Sequence, residues 1–467
     1  MSQNCAQDSS STNWNSQRSK VKGQRLFFTF VNKQILQLAI PSIISNITVP
    51  LLGFVDVAIT GHMGDARYMA AIAVGSMLFN IMYWMFSFLR FGTGGMTAQT
   101  YGQKNDEECA LLLFRSQITS FAVALGLFVM QVPLFALAVW VIQPAANLIS
   151  IIQTYYSICI FGTFPSLALY AFTGWFVGMQ NTRFPMVISI TQNIINICLS
   201  YVLVFFFGMK IAGVAYGTLI AQWCGALMAI ALIAWKYGGL FRTLPNLRAK
   251  VLKMEAFKRF FMVNQTIFLR TIFLIAVNLY FIKVGARGGA VILAVNAMLM
   301  QFFIFYTYVM DGFAFAAEAL CGRYYGAKDS ANFNLAMKGV WIWGLLLTIG
   351  YTLFYGLGGD FMVALMTDDV VIRFASQPYM PWAVAIPFCG LAAFVWDGVF
   401  VGITNIKGML MGTLVGAVFF FAILNIPYPF DMTTTVRNNI LWCAFDAYLI
   451  MRGVTQTIVW KLRPKTI

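Results

Sequence analysis

One carboxylate lies in a long uncharged stretch near the start of the chain. The segment from Gln34 to Thr60 carries no other charge, and Asp56 lies inside it, in the sequence GFVDVAITG. A carboxylate in the middle of a membrane span disfavours insertion by roughly 2.5–3.5 kcal/mol, so such residues usually face the protein interior and serve ions or substrates. Burial favours the protonated acid, so Asp56 is predicted to load and release a coupling proton. The alternative is an acid that reaches the outer interface.

Polar residues recur on one face of a later apolar segment. Asn193, Asn196 and Ser200 are spaced by three and then four residues, which places them on the same side of a helix. We expect them to line the same cavity as Asp56 and to hydrogen-bond its carboxyl group. The alternative, of equal weight, is that they hydrogen-bond neighbouring helices.

The second half of the chain has acids of its own. Asp311 and Glu318 are seven residues apart on one predicted helix, and Asp397 lies in another. All three are predicted as second-lobe acids for coupling or substrate binding, with Asp397 as the first choice among them. Glu318 lies closer to the inner end of its span and has solvation as its alternative, and Arg270 is expected to extend to the inner interface.

Arg90 and two prolines complete the candidate set. A sequence match between the halves places Arg90 opposite Asp311, which predicts an ion pair between them that is either structural or a gate. Pro41 and Pro50 precede Asp56 in the same span, and each removes a backbone donor. We expect protonation of Asp56 to bias this helix between straight and bent forms, with a static kink at Pro41 as the alternative.

Membrane helices must position these residues. The chain of 467 residues is 60% hydrophobic and only 10% charged, whereas soluble domains are about a quarter charged. Apolar runs long enough to cross a bilayer of about 30 Å recur throughout. They predict an all-α integral membrane protein with twelve spans, at 33–60, 69–99, 111–142, 150–180, 184–207, 211–235, 256–284, 289–321, 333–357, 374–403, 408–426 and 437–460.

The net charge of +15 is explained by the orientation of the spans. Most basic residues fall in the segments that lie inside if the N-terminus is cytoplasmic, as the positive-inside rule requires. An even number of spans then places both termini in the cytoplasm. We therefore expect a multi-pass protein of the inner (plasma) membrane in contact with lipid, and no nucleic-acid partner. Residues 1–30 are polar and predicted to be a disordered tail.

The chain contains an internal repeat. YGQKN at 101–105 matches YGAKD at 325–329, and GWFVGMQNTR at 174–183 matches GVFVGITNIK at 398–407, each pair 224 residues apart. Six spans per half predict two parallel, pseudo-symmetric lobes around a cleft, an arrangement that transporters use. We place the lobes at 31–236 and 260–467, with a basic cytoplasmic linker at 237–259. Channels with duplicated halves are the alternative.

Several chemistries find no support. The sequence has no G-x-x-x-x-G-K-[ST] loop, a single histidine at His62 and no G-x-S-x-G motif, so neither ATP hydrolysis nor a common hydrolytic site is predicted. Its eight cysteines form no C-x-x-C pair, which does not favour a zinc site. We expect no enzyme activity, no cofactor and no bound metal.

Several long motifs together resemble a known family. They are PSIISNITVPLLGFVDVAITGHMG, FLRFGTGGMTAQTYGQKN, GARGGAVILAVNAMLM, YVMDGFAFAAEALCGRYYGAKD and WDGVFVG. From about Gln34 onward the chain resembles the multidrug and toxic compound extrusion (MATE) family, in particular its DinF-like branch. The resemblance implies a fold of two six-helix lobes and export of organic, often cationic compounds in exchange for protons or sodium ions.

The resemblance also extends to single residues. The family's helix-one acid matches Asp56, its helix-five asparagine matches Asn196, and acids of the second lobe match Asp311, Glu318 and Asp397. Many members of the branch have a second acid where this chain has Ser200. The chain therefore departs from a site that shares its proton between two carboxylates.

The predicted function is a secondary antiporter that expels small organic, cationic or amphipathic compounds in exchange for protons, or for sodium ions. A monomer suffices, because one chain contains both halves of the cleft. The alternative is a flippase for lipid-linked precursors with the same two-lobe fold. A flippase would need a cleft rich in basic residues to hold pyrophosphate. The basic residues considered within the spans are Arg90 and Arg270, too few for such a cleft, so this alternative ranks lower.

Overall fold

The computed structural model describes residues 5–242, 250–251, 253–426 and 433–463, and within them the regular elements are all helices. Ten segments are long and apolar enough to cross a membrane. With the first helix, Cys5–Gly61, and the last, Thr434–Leu462, they make twelve. Each predicted span coincides with one of these helices to within a few residues in its apolar part, so the twelve-helix prediction is confirmed.

We number these helices 1 to 12 in chain order, six to each lobe. In the first lobe they are helix 1 (Cys5–Gly61), helix 2 (Ala66–Met85 and Phe88–Gly102), helix 3 (Asp106–Val129 and Gln131–Ile142), helix 4 (Ala146–Cys159 and Thr163–Gly178), helix 5 (Arg183–Phe205) and helix 6 (Lys210–Arg242). In the second lobe they are helix 7 (Met254–Ala286), helix 8 (Ala290–Gly326), helix 9 (Ser330–Met366), helix 10 (Val370–Ser376 and Met380–Gly402), helix 11 (Ile406–Asn425) and helix 12 (Thr434–Leu462).

Helix 1 begins earlier than the sequence predicts. The structure describes residues from Cys5 onward as part of the same helix as Asp56, and disorder over residues 1–30 stays a prediction. No proline occurs before Pro41, and once the membrane segment has nucleated a helix, each added residue gains one backbone hydrogen bond. The helix also runs through Pro41 and Pro50 without ending. Of the predicted linker, residues 243–249 and 252 lie outside the described residues.

The internal repeat is visible in a turn of the same conformation that occurs four times. Helices 2, 4, 8 and 10 each end shortly before a residue with positive φ, and these residues are Lys104, Gln180, Lys328 and Thr404, with φ of 56°, 61°, 57° and 53°. The next residue is Asn or Asp in every case, and its side chain accepts a hydrogen bond from a backbone N–H at the start of the following helix. Asn and Asp are typical helix N-caps because their oxygen satisfies such a donor.

The four ends come together and join the two lobes. Gly102 lies against the backbone of Arg323, and Gly326 lies against the backbone of Gln99. The Gln99 side chain donates hydrogen bonds to the carbonyl of Gly402, at 2.8 Å, and to the Thr404 hydroxyl, at 3.0 Å. Glycine lets helix backbones approach this closely because it has no side chain. The lobes are therefore closely packed at the end of the molecule that carries these four turns.

A break in helix 2 accounts for a difference between the halves. IAVGSMLF at 72–79 matches LAVNAMLM at 293–300 with an offset of 221, whereas the turns match with an offset of 224. Helix 2 is interrupted between Met85 and Phe88, while helix 8 is continuous. Beyond the break, Gly174 packs on the backbone of Arg90 just as Gly398 packs on that of Ala314. Arg90 therefore corresponds to Ala314, and the predicted equivalence of Arg90 with Asp311 is wrong.

The close packing of the lobes can be tested with one methyl group. A Cβ atom at position 326 would collide with the backbone of Gln99, so Gly326→Ala should separate the lobes at this end. We expect faster maleimide labelling of Cys321, which is fully buried in the native protein, measured by peptide mass spectrometry.

Gly350→Ala is the matched control, because nothing lies within 4 Å of its added Cβ atom. Equal labelling of Cys321 in the two variants would contradict the assignment of the glycine contacts as the closure between the lobes.

Candidate functional site

Asp56 is partly enclosed near the end of helix 1. Its Oδ1 atom is buried and has no hydrogen-bond partner among the described residues. Its neighbour Ile59 packs in an apolar cluster with Ile72, Phe79 and Tyr155 of helices 2 and 4. The carboxyl group therefore lies against protein and does not extend freely from the helix end.

The polar face of helix 5 binds to its neighbours on both sides. Asn193 donates a hydrogen bond of 3.0 Å to the backbone carbonyl of Thr48 in helix 1. Asn196 donates one of 2.9 Å to the Thr218 hydroxyl in helix 6. The Ser200 hydroxyl is fully buried beside Gly217 and has no partner among the described residues. The alternative of hydrogen bonds between helices thus holds for Asn193 and Asn196.

Ser200 lies at about the same depth as Asp56. Helices 1 and 5 run in the same direction, because Thr182 contacts Gln37 and Asn193 contacts Thr48 further along. Asp56 is eight residues beyond Thr48 and Ser200 is seven beyond Asn193, which is about 12 and 10.5 Å at 1.5 Å per residue. No hydrogen bond joins Asp56 to helix 5 among the described residues, so the two are near in depth without direct pairing.

Arg90 forms an ion pair between the lobes, but with a different partner from the one predicted. Its guanidinium group donates a hydrogen bond of 3.1 Å to Glu318, and not to Asp311. The rings of Phe315 and Phe91 cover the guanidinium at 3.4 and 4.3 Å. Glu318 is only 1% exposed, so the alternative of solvation at the inner end does not hold for it. The difference arises because the two halves match with an offset of 224 residues in this region. That offset places Arg90 beside the inner half of helix 8, which contains Glu318.

Asp397 belongs to a paired network and is not a free acid. It binds the guanidinium groups of Arg270 and Arg452, the second at 2.7 Å, and accepts a hydrogen bond of 2.7 Å from Gln456. Arg270 is 7% exposed, so it does not extend to the interface as predicted. A charge in the hydrocarbon region is costly unless it is paired, and Asp397 supplies that pairing for two arginines. Asp311 is half-buried and lies in the field of Arg90, Arg270 and Arg452 without a direct ion pair among the described residues.

Two residues of helix 12 were missed at the sequence level. Arg452 lies in LIMRGVTQT and Asp446 in WCAFDAYLI, and both charges were visible within the predicted span. Asp446 is 4% exposed, and both of its carboxylate oxygens are buried without a hydrogen-bond partner among the described residues. A charged side chain within a long apolar segment was the signal that could have found each of them.

A cavity of about 290 Å³ opens within the first lobe. Serine, threonine and tyrosine hydroxyls and the amides of Asn46, Gln192 and Gln222 line it, together with a few apolar groups. Arg90 is the only charged residue among the described residues that line it. The described part of the chain offers no group of three or more His, Cys, Asp or Glu side chains placed to hold a metal ion.

Comparison with known proteins identifies the family. The model of the MatE family matches residues 41–202 and again residues 266–427, one match in each half of the repeat. The chain belongs to the MatE family. It is 30% identical to DNA damage-inducible protein F of Escherichia coli (strain K12), over 93% of each chain. It is also 25% identical to a probable multidrug resistance protein NorM of Acinetobacter baylyi, over 67% of this chain and 70% of the relative.

Solved structures agree with this fold. The Vibrio cholerae MATE transporter VcmN in its bent form superposes with a TM-score of 0.80 at 16% identity, covering 93% of this chain and 97% of VcmN. The MatE-family fold of two six-helix lobes is thereby confirmed for this protein. The chain is a multi-pass membrane transporter of a multidrug-efflux family, and such transporters bind small molecules and couple their movement to ions.

The network around Asp397 should contribute strongly to the stability of this MatE protein. In Asp397→Asn, Arg270 and Arg452 remain buried without a counter-charge. We expect a loss of about 3–5 kcal/mol in the free energy of unfolding, the usual effect of removing one partner of a buried ion pair, measured by thermal or denaturant unfolding in detergent. Asp360→Asn, at an exposed position of helix 9, is the control. Equal stability of the two variants would show that the network is not needed for folding.

Proposed function

We propose that this protein is a secondary antiporter that exports small organic, cationic or amphipathic compounds in exchange for protons. It acts by alternating access, with the cleft between the lobes exposed to each side of the membrane in turn. The expected setting is the inner (plasma) membrane with both termini in the cytoplasm, and the expected unit is a monomer.

The observation that carries this proposal is the carboxyl group of Asp56. It lies in a membrane helix with one oxygen buried and unpartnered, and no ion pair neutralises it among the described residues. Removing a lone carboxylate from water disfavours its ionised form, so Asp56 is suited to carry a proton in this conformation and to release it when water reaches the site.

The closure between the lobes supports alternating access. Helices 2, 4, 8 and 10 meet through glycine contacts at the end that carries the four turns. The basic residues of the sequence place that end in the cytoplasm. The conformation described here is then closed toward the cytoplasm, and parting these contacts would open the cleft on that side.

The surroundings of Asp56 favour protons over sodium ions. Hard cations are held by several oxygen ligands, and the second acid found in many relatives is replaced here by Ser200. A single carboxyl group is sufficient to bind a proton. Pro41 and Pro50 lie in the same helix, and their missing backbone donors favour a bend that protonation of Asp56 controls. The solved bent form of VcmN supports such a movement in the family.

The arginines of the spans do not support a lipid-precursor flippase. Arg90 is paired with Glu318, and Arg270 and Arg452 share Asp397. A pyrophosphate group would need several basic residues at one site, whereas the described lining of the first-lobe cavity contains one, Arg90.

Proton coupling can be tested directly in proteoliposomes. With an imposed pH gradient the wild type should accumulate a fluorescent organic compound, whereas Asp56→Asn should show little gradient-driven uptake, because the amide cannot carry the proton. Asp65→Asn is the control, since Asp65 lies outside the span and binds Arg67. Full pH-driven uptake by Asp56→Asn would remove the proposed role.

An imposed sodium gradient distinguishes the two coupling ions. We expect no uptake in wild-type liposomes when sodium is the only gradient. Uptake driven by sodium and unaffected by pH would replace the proton with sodium in the proposal.

A further inference from the structure

We infer that the cavity of the first lobe binds the acidic group of the exported compound, with Arg90 as the residue that recognises it. The inference rests on the proposed export function and narrows the amphipathic compounds of that proposal to those that carry a carboxylate or a similar acid.

The charge of the cavity points to an anionic group. Its described lining contains no Asp or Glu, and Arg90 is its only ionised residue. The remaining polar groups are mainly hydroxyls and amides, which can donate hydrogen bonds to a carboxylate. A cationic group placed here would meet no carboxylate and would lie close to a guanidinium.

Glu318 does not cancel this preference. It binds one nitrogen of Arg90, is only 1% exposed and is not among the residues that line the cavity. The ion pair is thus a dipole whose positive end borders the cavity. Arg90 also keeps donors that Glu318 does not use, and its Nε atom has no partner among the described residues.

The guanidinium is held ready for a ligand. Phe315 and Phe91 cover its faces at 3.4 and 4.3 Å, which leaves its edges for hydrogen bonds. A fixed arginine is well suited to a planar carboxylate, because the two groups can form parallel charge-assisted hydrogen bonds. The volume of about 290 Å³ is at the lower limit of small-molecule sites, so the cavity accommodates the acid-bearing end of a larger molecule.

The position of Arg90 would also couple binding to the lobes. It belongs to the first lobe, and its partner Glu318 and its stacking partner Phe315 belong to the second. An acid that draws the guanidinium into the cavity competes with Glu318 for the same group and so weakens one contact between the lobes.

The test uses two ligands that differ in charge and by one methyl group, a fluorescent quinolone carboxylic acid and its methyl ester. Equilibrium binding to purified protein in nanodiscs is measured at a pH at which the acid is ionised. We expect the wild type to bind the acid at least about tenfold more tightly than the ester, as a charge-assisted hydrogen bond allows. Equal binding of acid and ester would overturn the inference.

Variants assign the preference to Arg90. Glu318→Gln should keep or increase the preference for the acid, because it removes only the competing carboxylate. The double variant R90Q/E318Q removes both charges of the pair, and it should bind the two ligands equally. Retention of the full preference by the double variant would overturn the assignment. If the double variant does not fold, Arg90→Lys keeps the charge without the planar group and should reduce the preference several-fold.

Two controls separate this inference from proton coupling. Arg183→Gln removes an exposed arginine outside the cavity and should leave the preference unchanged. Asp56→Asn should retain the preference for the acid even though it loses pH-driven uptake, because equilibrium binding needs no gradient. Loss of the preference in R90Q/E318Q would support the inference whether or not Asp56→Asn loses pH-driven uptake, so the two proposals can fail separately.

Discussion

An ionisable group inside a membrane must either pair with an opposite charge or become neutral, and the interior of this protein is organised around that constraint. In a medium of low dielectric constant an isolated ionised group is strongly disfavoured. The four buried arginines of the described chain meet the constraint by pairing: Arg270 and Arg452 with Asp397, Arg90 with Glu318, and Arg115 with Glu108. Asp56 and Asp446 each retain buried oxygens without partners among the described residues. The acids of the core therefore fall into two groups, those that pair with an arginine and those that do not.

The same constraint places the charges relative to the closure between the lobes. Arg90 and Glu318 reach each other because helix 2 and helix 8 lie close together, and they lie close together because glycines occupy the contact points. Gly94 lies against Glu318 itself, so the space for the buried carboxylate is made by a missing side chain. Backbone packing and charge pairing therefore depend on one another at the interface of the lobes.

The sequence predicts the fold well because its signals are local. Length, hydropathy and the repeated turn motifs predict the twelve helices and the two halves. All three signals can be recognised without knowing the tertiary contacts. The break in helix 2 is different. The offsets of 221 and 224 reveal a three-residue difference between the halves, but no proline lies near the break, so its place is seen only in the backbone. That break shifts the register by three residues, which is why Arg90 was aligned with the wrong partner.

The candidate site was predicted less completely, because partners depend on packing. Asp56 stands out from the sequence as the lone charge of its segment. The network of Asp397 does not, since it joins Arg270, Asp397 and Arg452 from three helices that are far apart in the chain. Side chains from six helices line the cavity around Arg90, and the spacing of residues within any one helix does not indicate a cavity.

The pairing of Arg90 with Glu318 also makes the two halves different. Under the structural register Arg90 corresponds to Ala314, and Glu318 corresponds to Gly94. Two copies of the first half would bring arginines to this interface and no carboxylate, and two copies of the second half would bury a glutamate with no cation. Each half therefore carries one member of the bond, and neither could replace the other in spite of the repeat.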